Sequence, residues 1–284
     1  MKAISRFLNQ PKSFWAHVRS VSQRVGYTVR NQGQVRVPSL AEIAQALDAL
    51  GLSTDHIVQA GEPTPMGVTL ADYFQYRADV LHEFVEPMLM DAGEANKAFE
   101  DLKAKLSPSC PLPMNKQKGD KRTNAYLTGI VNMLVEANSA GFPCDYAPRA
   151  LTTVTRDGIP VRTLARRIDG AFPSSVNPVA IWEIKEYYYT TTFGSRVADG
   201  VYETLVDGVE LEELRDHEGI DIRHCLMVDS HFTWWVCGRS YLCRLVDMLH
   251  MGYVDDVLFG REILDGLPPL VGEWVNAVQA REKL

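Results

Sequence analysis

The segment from Ala180 to Tyr189 constrains the fold of this chain most, because it places two charges on an otherwise apolar stretch. Aromatic and β-branched residues dominate the segment, and this composition predicts a β-strand. Side chains alternate between the two faces of a strand, so Glu183 and Lys185 share one face. Burying two charges costs free energy unless they pair with each other or bind a ligand. We therefore expect this strand to lie at a site that uses both charges.

A second carboxylate is expected beside this strand. Asp169 stands fourteen positions before Glu183, and the residues at 173–178 (Pro-Ser-Ser-Val-Asn-Pro) are typical of a turn. We predict a hairpin between a strand over residues 161–172 and the Glu183 strand, which brings Asp169 close to Glu183 and Lys185. Two converging carboxylates suit magnesium or manganese, because these hard cations prefer oxygen ligands. The lysine would orient an attacking water or stabilise the charge that develops on phosphorus.

This spacing is similar to a known signature. Asp169, thirteen intervening residues and then Glu183-Ile184-Lys185 resemble the D…(D/E)xK motif of the PD-(D/E)xK nuclease superfamily, which includes restriction endonucleases. Ile168 stands where that family usually has proline. The resemblance implies Mg²⁺-dependent (or Mn²⁺-dependent) hydrolysis of DNA, with Asp169 and Glu183 as metal ligands and Lys185 as a catalytic residue. It also implies a metal-binding role for Glu136, because the first helix of such a core often carries an acid that joins the site.

The predicted fold class is α+β, with two regions. Residues 1–115 form a mainly helical N-terminal region for DNA recognition or dimerisation, and residues 116–284 form the nuclease-like core with a central mixed β-sheet flanked by helices. The boundary lies in residues 107–122, where prolines are followed by a basic run, as in a linker. Periodicity predicts the following further elements: helices over 124–139 and 195–206, and strands over 222–228 and 232–237.

The charge distribution allows a local nucleic-acid surface. A formal net charge of −7 argues against a large non-specific basic footprint on nucleic acid. Basic residues nevertheless cluster before the predicted site, and acidic residues, among them Asp207, follow it. The predicted DNA contacts are Lys121, Arg122, Arg166, Arg167, Tyr187 and Arg196. Solvated faces of an ordinary protein would give the same distribution of charge.

The cysteines and the apolar runs point to a protein of the cytoplasm. Five cysteines form no CxxC pair and have no zinc-type histidine spacing, so we interpret them as reduced structural thiols. The sequence has no apolar run of membrane-spanning length and no signal peptide, so no membrane partner is expected.

Several functions are compatible with the motif. The favoured one is a type II restriction-like or phage-defence endonuclease that cleaves double-stranded DNA as a homodimer, since a palindromic site calls for two-fold symmetry. A defence nuclease with little sequence preference, or with a preference for modified DNA, is a variant of it. The alternative is a non-catalytic nucleic-acid-binding module. Glu183 and Lys185 could also be an exposed pair on an edge strand. A thiol hydrolase using Cys225 or Cys237 lacks the required Cys/His spacing.

Overall fold

The computed structural model describes residues 1–29, 32–115, 123–189 and 194–281. The helices are α1 (Ser5–Leu8), α2 (Lys12–Val25), α3 (Leu40–Asp48), α4 (Pro65–Asp79), α5 (Glu86–Met88), α6 (Ala92–Leu106), α7 (Tyr126–Asn138), α8 (Ser195–Glu218), α9 (Arg239–His250) and α10 (Glu262–Arg281). Two π-helical segments span Val80–Val85 and His231–Cys237. The strands are β1 (Thr28–Val29), β2 (Gln34–Val35), β3 (Val58–Gln59), β4 (Glu62–Pro63), β5 (Asp145–Tyr146), β6 (Thr153–Arg156), β7 (Ile159–Thr163), β8 (Gly170–Phe172), β9 (Ala180–Glu186), β10 (Arg223–Asp229) and β11 (Asp256–Phe259).

A five-stranded mixed sheet organises the second half of the chain. Its spatial order is β11-β10-β9-β8-β5. Strands β5, β8 and β9 pair antiparallel, and β9, β10 and β11 pair parallel. The parallel step from β9 to β10 requires a crossover, which α8 supplies. A mainly helical N-terminal region and a mixed sheet flanked by helices confirm the predicted α+β class.

Helices cover both faces of the sheet. One face, with Trp182 and Met227, packs against α6, α7 and α10 in a single apolar core. The other face, with Leu226 and Val228, packs against α9 and part of α8. Strand β9 is apolar on both faces except at its charged residues, as expected for a strand in the middle of a covered sheet.

Helices α2, α3 and α4 pack around Phe14, Ile43 and Tyr73 in a separate apolar cluster. Helix α3 begins with a capping box, in which Ser39 and Glu42 satisfy each other's backbone amides.

A buried ion pair joins this N-terminal cluster to α9. Arg77 Nη1 lies 3.1 Å from both carboxylate oxygens of Asp247, and Tyr73 donates a hydrogen bond to Asp247 Oδ1 at 2.6 Å. Arg77 also donates to Ser22 Oγ at 3.3 Å. Both charges are almost fully buried. The Arg77–Asp247 pair therefore has no net charge, and each partner makes additional hydrogen bonds.

Helix α6 packs with the sheet region. Ala95 and Phe99 are fully buried in the same core as Leu127 and Ile130 of α7. The ring of Phe99 approaches α7 so closely that a Cβ at Gly129 would lie 2.4 Å from it. The boundary between residues 115 and 116 stays a prediction, and residues 116–122 lie outside the described part of the chain.

Two predicted strands were wrong. The segment predicted over 161–172 is interrupted, because β7 ends at Thr163 and β8 begins only at Gly170. Residues 232–237 form a π-helical segment, in which Phe232 and Val236 are both more than half exposed. Ser230 starts this segment by accepting a hydrogen bond from the backbone amide of Thr233. Exposed residues four apart are a helical pattern, which tertiary packing favours here over the strand propensity of the aromatic residues.

The outer edge of β11 is partly covered. Lys2 forms an antiparallel bridge with Asp256, and the backbone amide of Val257 donates to the carbonyl of Met1 at 3.0 Å. At the opposite edge, β5 is only two residues long. Among the described residues, no helix combines the length and apolar character needed to cross a bilayer.

Candidate functional site

Strand β9 places Glu183 and Lys185 on one face of the sheet, under helix α8. β9 lies between β8 and β10, so it is a central strand. Glu183 is fully buried and Lys185 is 5% exposed. Gly200 of α8 lies directly above them, where an added Cβ would be 3.3 Å from Lys185 Cδ. The interpretation of Glu183 and Lys185 as an exposed pair on an edge strand is therefore wrong.

Five side chains form a connected group of charges, which we call the ion network. Its members are Arg166, Glu183, Lys185, Glu203 and Asp207. Glu183 Oε2 accepts from Lys185 Nζ at 2.8 Å and from Arg166 Nη2 at 2.9 Å. Arg166 Nη1 donates to Asp207 at 2.6 Å, and Glu203 accepts from Lys185 at 3.2 Å. The charges of Glu183 and Lys185 are therefore paired across β9, α8 and the loop before β8.

Asp169, the residue directly before β8, lies beside this group. The antiparallel register pairs Gly170 with Trp182, so Asp169 lies opposite Glu183. The backbone amide of Asp169 donates to Glu183 Oε1 at 3.2 Å, and Asp169 Oδ2 accepts from the backbone amide of Ile184 at 2.8 Å. The structure therefore brings together Asp169, Glu183 and Lys185, the three residues of the motif.

The pKa values of these carboxyl groups diverge. Burial alone would raise the pKa of Glu183, but Lys185 and Arg166 outweigh burial and hold that pKa below its ordinary value. Asp169 is exposed at the surface, but desolvation by the surrounding protein, together with the charge of Glu183, raises its pKa to about 6. Burial raises the pKa of Asp207 to about 7, against the opposing charge of Arg166. The site thus holds more carboxylates than it can easily keep ionised.

The charges are unequal in number. Four carboxylates (Asp169, Glu183, Glu203 and Asp207) lie around two cations (Lys185 and Arg166). With all six groups ionised, the net charge is two negative units, four minus two. Such an excess attracts a cation, since an unpaired buried charge is costly.

The residues present fit a magnesium or manganese ion held by two protein carboxylates. Within the described ranges, no three His, Cys, Asp or Glu side chains converge in ligand geometry. Mg²⁺ commonly binds through one or two carboxylates and completes its shell with water and substrate phosphates. In the described part of the chain, no hydrogen bond is donated to Asp169 Oδ1, and Glu183 Oε1 accepts only the 3.2 Å bond from Asp169. These two oxygens would be the ligands of such an ion.

Glu136 lies elsewhere. It sits near the end of α7, where it accepts hydrogen bonds from the backbone amide and hydroxyl of Ser109. Among the described residues, no hydrogen bond or ion pair links it to Asp169 or Glu183. The structure therefore does not bring Glu136 to the predicted metal ligands.

The predicted DNA contacts fall into three groups. Arg166 belongs to the ion network and is paired with three carboxylates. Arg167 and Arg196 are exposed, while Tyr187 is half-buried and donates its hydroxyl to the carbonyl of Arg196 at 3.3 Å. Lys121 and Arg122 lie outside the described residues. The accessible predicted cations next to the site are thus Arg167 and Arg196.

Two residues of α8 belong to the site although the motif does not include them. Glu203 shares a predicted helix face with Arg196, and Asp207 lies four residues further along the same face. Asp207 was grouped with the acidic residues that follow the site, but it is fully buried beneath Arg166. The spacing of four residues was the signal that could have identified it.

The opposite face of β9 opens onto a cavity of about 270 Å³. Asp169, Ile184 and Glu186 line it, together with Thr128 at the start of α7. Glu186 accepts hydrogen bonds from the backbone amide and hydroxyl of Thr128, both at 3.1 Å. Burial raises the pKa of Glu186 to about 7. Asp169 thus stands between this cavity and the ion network.

Comparison with protein families assigns most of the chain. Residues 90–274 match the family described as Domain of unknown function (DUF7687). The chain belongs to this family. The DUF7687 region contains every strand of the five-stranded sheet and all residues of the ion network.

Residues 1–84 match a second family model, described as Domain of unknown function (DUF7690). The DUF7690 match ends at residue 84 and the DUF7687 match begins at residue 90. No curated protein and no solved structure matches the chain.

Proposed function

We propose that this protein is a Mg²⁺-dependent DNA endonuclease that hydrolyses phosphodiester bonds. The observation that carries the proposal is the convergence of Glu183 and Lys185 of β9 with Asp169, the residue that directly precedes β8. The order of elements supports it, because a helix followed by a meander of strands is how the PD-(D/E)xK core begins, and α7, β5, β8 and β9 follow this order.

The residues have distinct roles in this proposal. Asp169 and Glu183 would hold the metal ion, which, when bound, polarises a phosphoryl oxygen and lowers the pKa of a water molecule. Glu183 raises the pKa of Lys185 above its ordinary value, against the effect of burial. Lys185 is therefore a cation at neutral pH and would stabilise negative charge on the phosphate instead of accepting a proton. Arg166 and Glu203 would hold Lys185 and Glu183 in place.

The proposed substrate is double-stranded DNA, cleaved in a restriction-like or phage-defence reaction in the cytoplasm. A homodimer would place two such sites on opposite strands. Size-exclusion chromatography with light scattering is expected to give twice the chain mass, and a monomer at working concentration would contradict the dimer alone.

A non-catalytic nucleic-acid-binding module is the second candidate, and one observation favours it. Glu183 Oε2 is already shared by Lys185 and Arg166, so the ion network satisfies this charge without a metal ion. Such a module would bind DNA equally well with Mg²⁺ and with EDTA.

Cleavage assays distinguish the two candidates. Plasmid DNA and methylated and unmethylated phage DNA are incubated with the wild type, Asp169→Asn and Lys185→Met, each with Mg²⁺ and with EDTA. Asp199→Asn is the matched control, because it makes the same chemical change at an exposed position of α8. We expect Mg²⁺-dependent cleavage by the wild type and the control, and a loss of about 10²–10³-fold in both site variants.

The pattern of products refines the result. Discrete fragments indicate a site-specific enzyme, a smear indicates low sequence preference, and cleavage only of methylated DNA indicates a preference for modified substrates. DNA binding without cleavage of any substrate would contradict the nuclease and support the binding module. Circular dichroism of each variant confirms that the fold is retained.

A further inference from the structure

A second cavity lies on the far side of α8 from the ion network. Its volume is about 530 Å³, within the range of small-molecule sites. Helices α2, α8 and α9 and the segment after α2 form its walls, so it lies between the N-terminal helices and the sheet region. We call it the α2–α8–α9 cavity. Nothing in the proposed DNA hydrolysis uses it.

The rim of this cavity carries guanidinium groups without an acidic partner. Arg19 and Arg244 both line it. Arg19 donates to the sulfur of Met251 at 3.4 Å, and Arg244 stacks on the ring of Tyr27 at 4.7 Å. Within the residues that the structure describes, neither guanidinium forms a salt bridge. Guanidinium groups bind phosphate through paired hydrogen bonds, so this rim fits a phosphate group.

The one carboxylate in the wall does not cancel this charge. Asp247 lines the cavity, but both of its oxygens are held by Arg77, and Tyr73 donates to one of them. Three guanidinium groups, those of Arg19 and Arg244 in the cavity lining and that of Arg77 behind it, therefore accompany this single carboxylate. The local balance is therefore two positive units, three minus one.

The remaining walls suit a flat aromatic body. Tyr27 is half-buried and Tyr202 is 54% exposed at the rim, and Val201 and Leu205 add apolar surface. Aromatic side chains and arginine stack on nucleobases with little sequence preference. Arg244 and Arg77 already lie over the ring of Tyr27, so the base would stack on Tyr202. We propose that the α2–α8–α9 cavity binds a nucleoside monophosphate, with its base against Tyr202 and its phosphate on Arg19 and Arg244.

Helix α8 connects this cavity to the ion network. Successive residues of an α-helix are separated by 100°, so residues 203 and 207 lie on one side and residues 201, 202 and 205 on the other. Glu203 and Asp207 belong to the ion network, while Val201, Tyr202 and Leu205 line the cavity. A nucleotide in the cavity would therefore contact the helix that holds Lys185 and Arg166, and would change the rate of cleavage. This effect rests on the proposed nuclease function, whereas nucleotide binding does not.

Calorimetric titration of the full chain tests the binding. The probes are AMP, adenosine and inorganic phosphate. AMP is expected to bind at least about tenfold more tightly than adenosine or inorganic phosphate, because AMP contacts both the arginines and the aromatic wall of the cavity. Arg19→Gln combined with Arg244→Gln should weaken AMP binding by about tenfold or more, as expected for lost hydrogen bonds to a charged group. Tyr202→Ala should weaken AMP binding and leave phosphate binding unchanged.

The matched control is Arg24→Gln, an exposed arginine of α2 that does not line the cavity. No detectable AMP binding, or equal loss in the control and in the Arg19/Arg244 variant, would overturn the proposal. A 5′-phosphorylated oligonucleotide that binds more tightly than AMP through the same arginines would overturn the assignment to a free nucleotide. Thermal denaturation verifies that each variant is folded.

The cleavage assay is then repeated with saturating AMP. A change in rate that disappears in the Arg19/Arg244 variant supports the connection through α8. An unchanged rate with intact AMP binding overturns that connection only. If no DNA is cleaved under any condition, the nuclease proposal fails while the binding result still stands.

Discussion

Two buried groups of oppositely charged side chains, the Arg77–Asp247 pair and the ion network, differ in their balance of charge. At the Arg77–Asp247 pair, one guanidinium meets one carboxylate, and Tyr73 and Ser22 add hydrogen bonds. In and beside the ion network, two cations meet four carboxylates, two of which have pKa values raised to about 6 and about 7. A balanced pair is complete without a ligand, whereas an excess of carboxylates has the capacity to hold a cation. For this reason we infer a structural role for the Arg77–Asp247 pair and propose a functional role for the ion network.

The largest expected effect tests the balanced pair. Arg77→Met removes the cation that is bonded to Asp247, and we expect the free energy of unfolding to fall by about 3–5 kcal/mol, because a buried carboxylate is left without its counter-charge. Lys185→Met should cost less, since Glu183 keeps Arg166. Urea denaturation measures both. Equal losses in the two variants would contradict the distinction between the clusters.

The second effect is a pH dependence in the ion network. The pKa of Asp207 is about 7 in the folded protein and 3.8 ordinarily, so between these values the folded state binds a proton that the unfolded state has released. Asp207 therefore lowers stability progressively as pH rises from about 4 to about 7. In Asp207→Asn, the drop in unfolding free energy between pH 5 and pH 8 should be smaller by roughly 1–3 kcal/mol. Denaturation curves at both pH values test this, and an unchanged drop would refute it.

A smaller effect is expected at the open side of the network. Glu203 is 45% exposed, and its bonds to Lys185 and Arg166 compete with water. Glu203→Gln should change the unfolding free energy by less than about 1 kcal/mol. A loss comparable to that of Arg77→Met would mean that the network is as closed as the balanced pair.

The smallest effect concerns two adjacent arginines. Arg167 is exposed, whereas Arg166 is neutralised by carboxylates. If Arg167 contacts a phosphate, Arg167→Gln should reduce the slope of log affinity against log salt concentration by about 0.9, and Arg166→Gln should leave the slope unchanged. Filter binding to a DNA duplex at several salt concentrations measures both slopes. The reverse result would show that DNA releases Arg166 from the ion network.

The sequence predicted the centre of the site because the relevant pattern is local. Alternation along β9 placed Glu183 and Lys185 on one face, and the turn after Phe172 brought Asp169, which directly precedes β8, beside them. These inferences need only the two-residue period of a strand and the chemistry of a turn.

The rest of the site depends on how distant elements pack. Arg166 was predicted to contact DNA, and only the approach of α8 reveals that carboxylates surround it. Helix α8 was predicted to end at residue 206, but it continues to Glu218. The acidic residues of its second half resemble a surface loop in sequence. Residues 232–237 have the composition of a strand, but their burial follows a helical pattern. Local propensity is overridden where tertiary contacts are strong.

The two edges of the sheet limit how two copies of this chain could assemble. One edge offers only the two residues of β5, and at the other the backbone of Met1 and Lys2 occupies hydrogen-bonding groups of β11. Short or covered edge strands disfavour pairing with strands of another molecule. A continuous intermolecular sheet is thus disfavoured, and two copies would join through helical or loop surfaces, leaving β9 equally central in each.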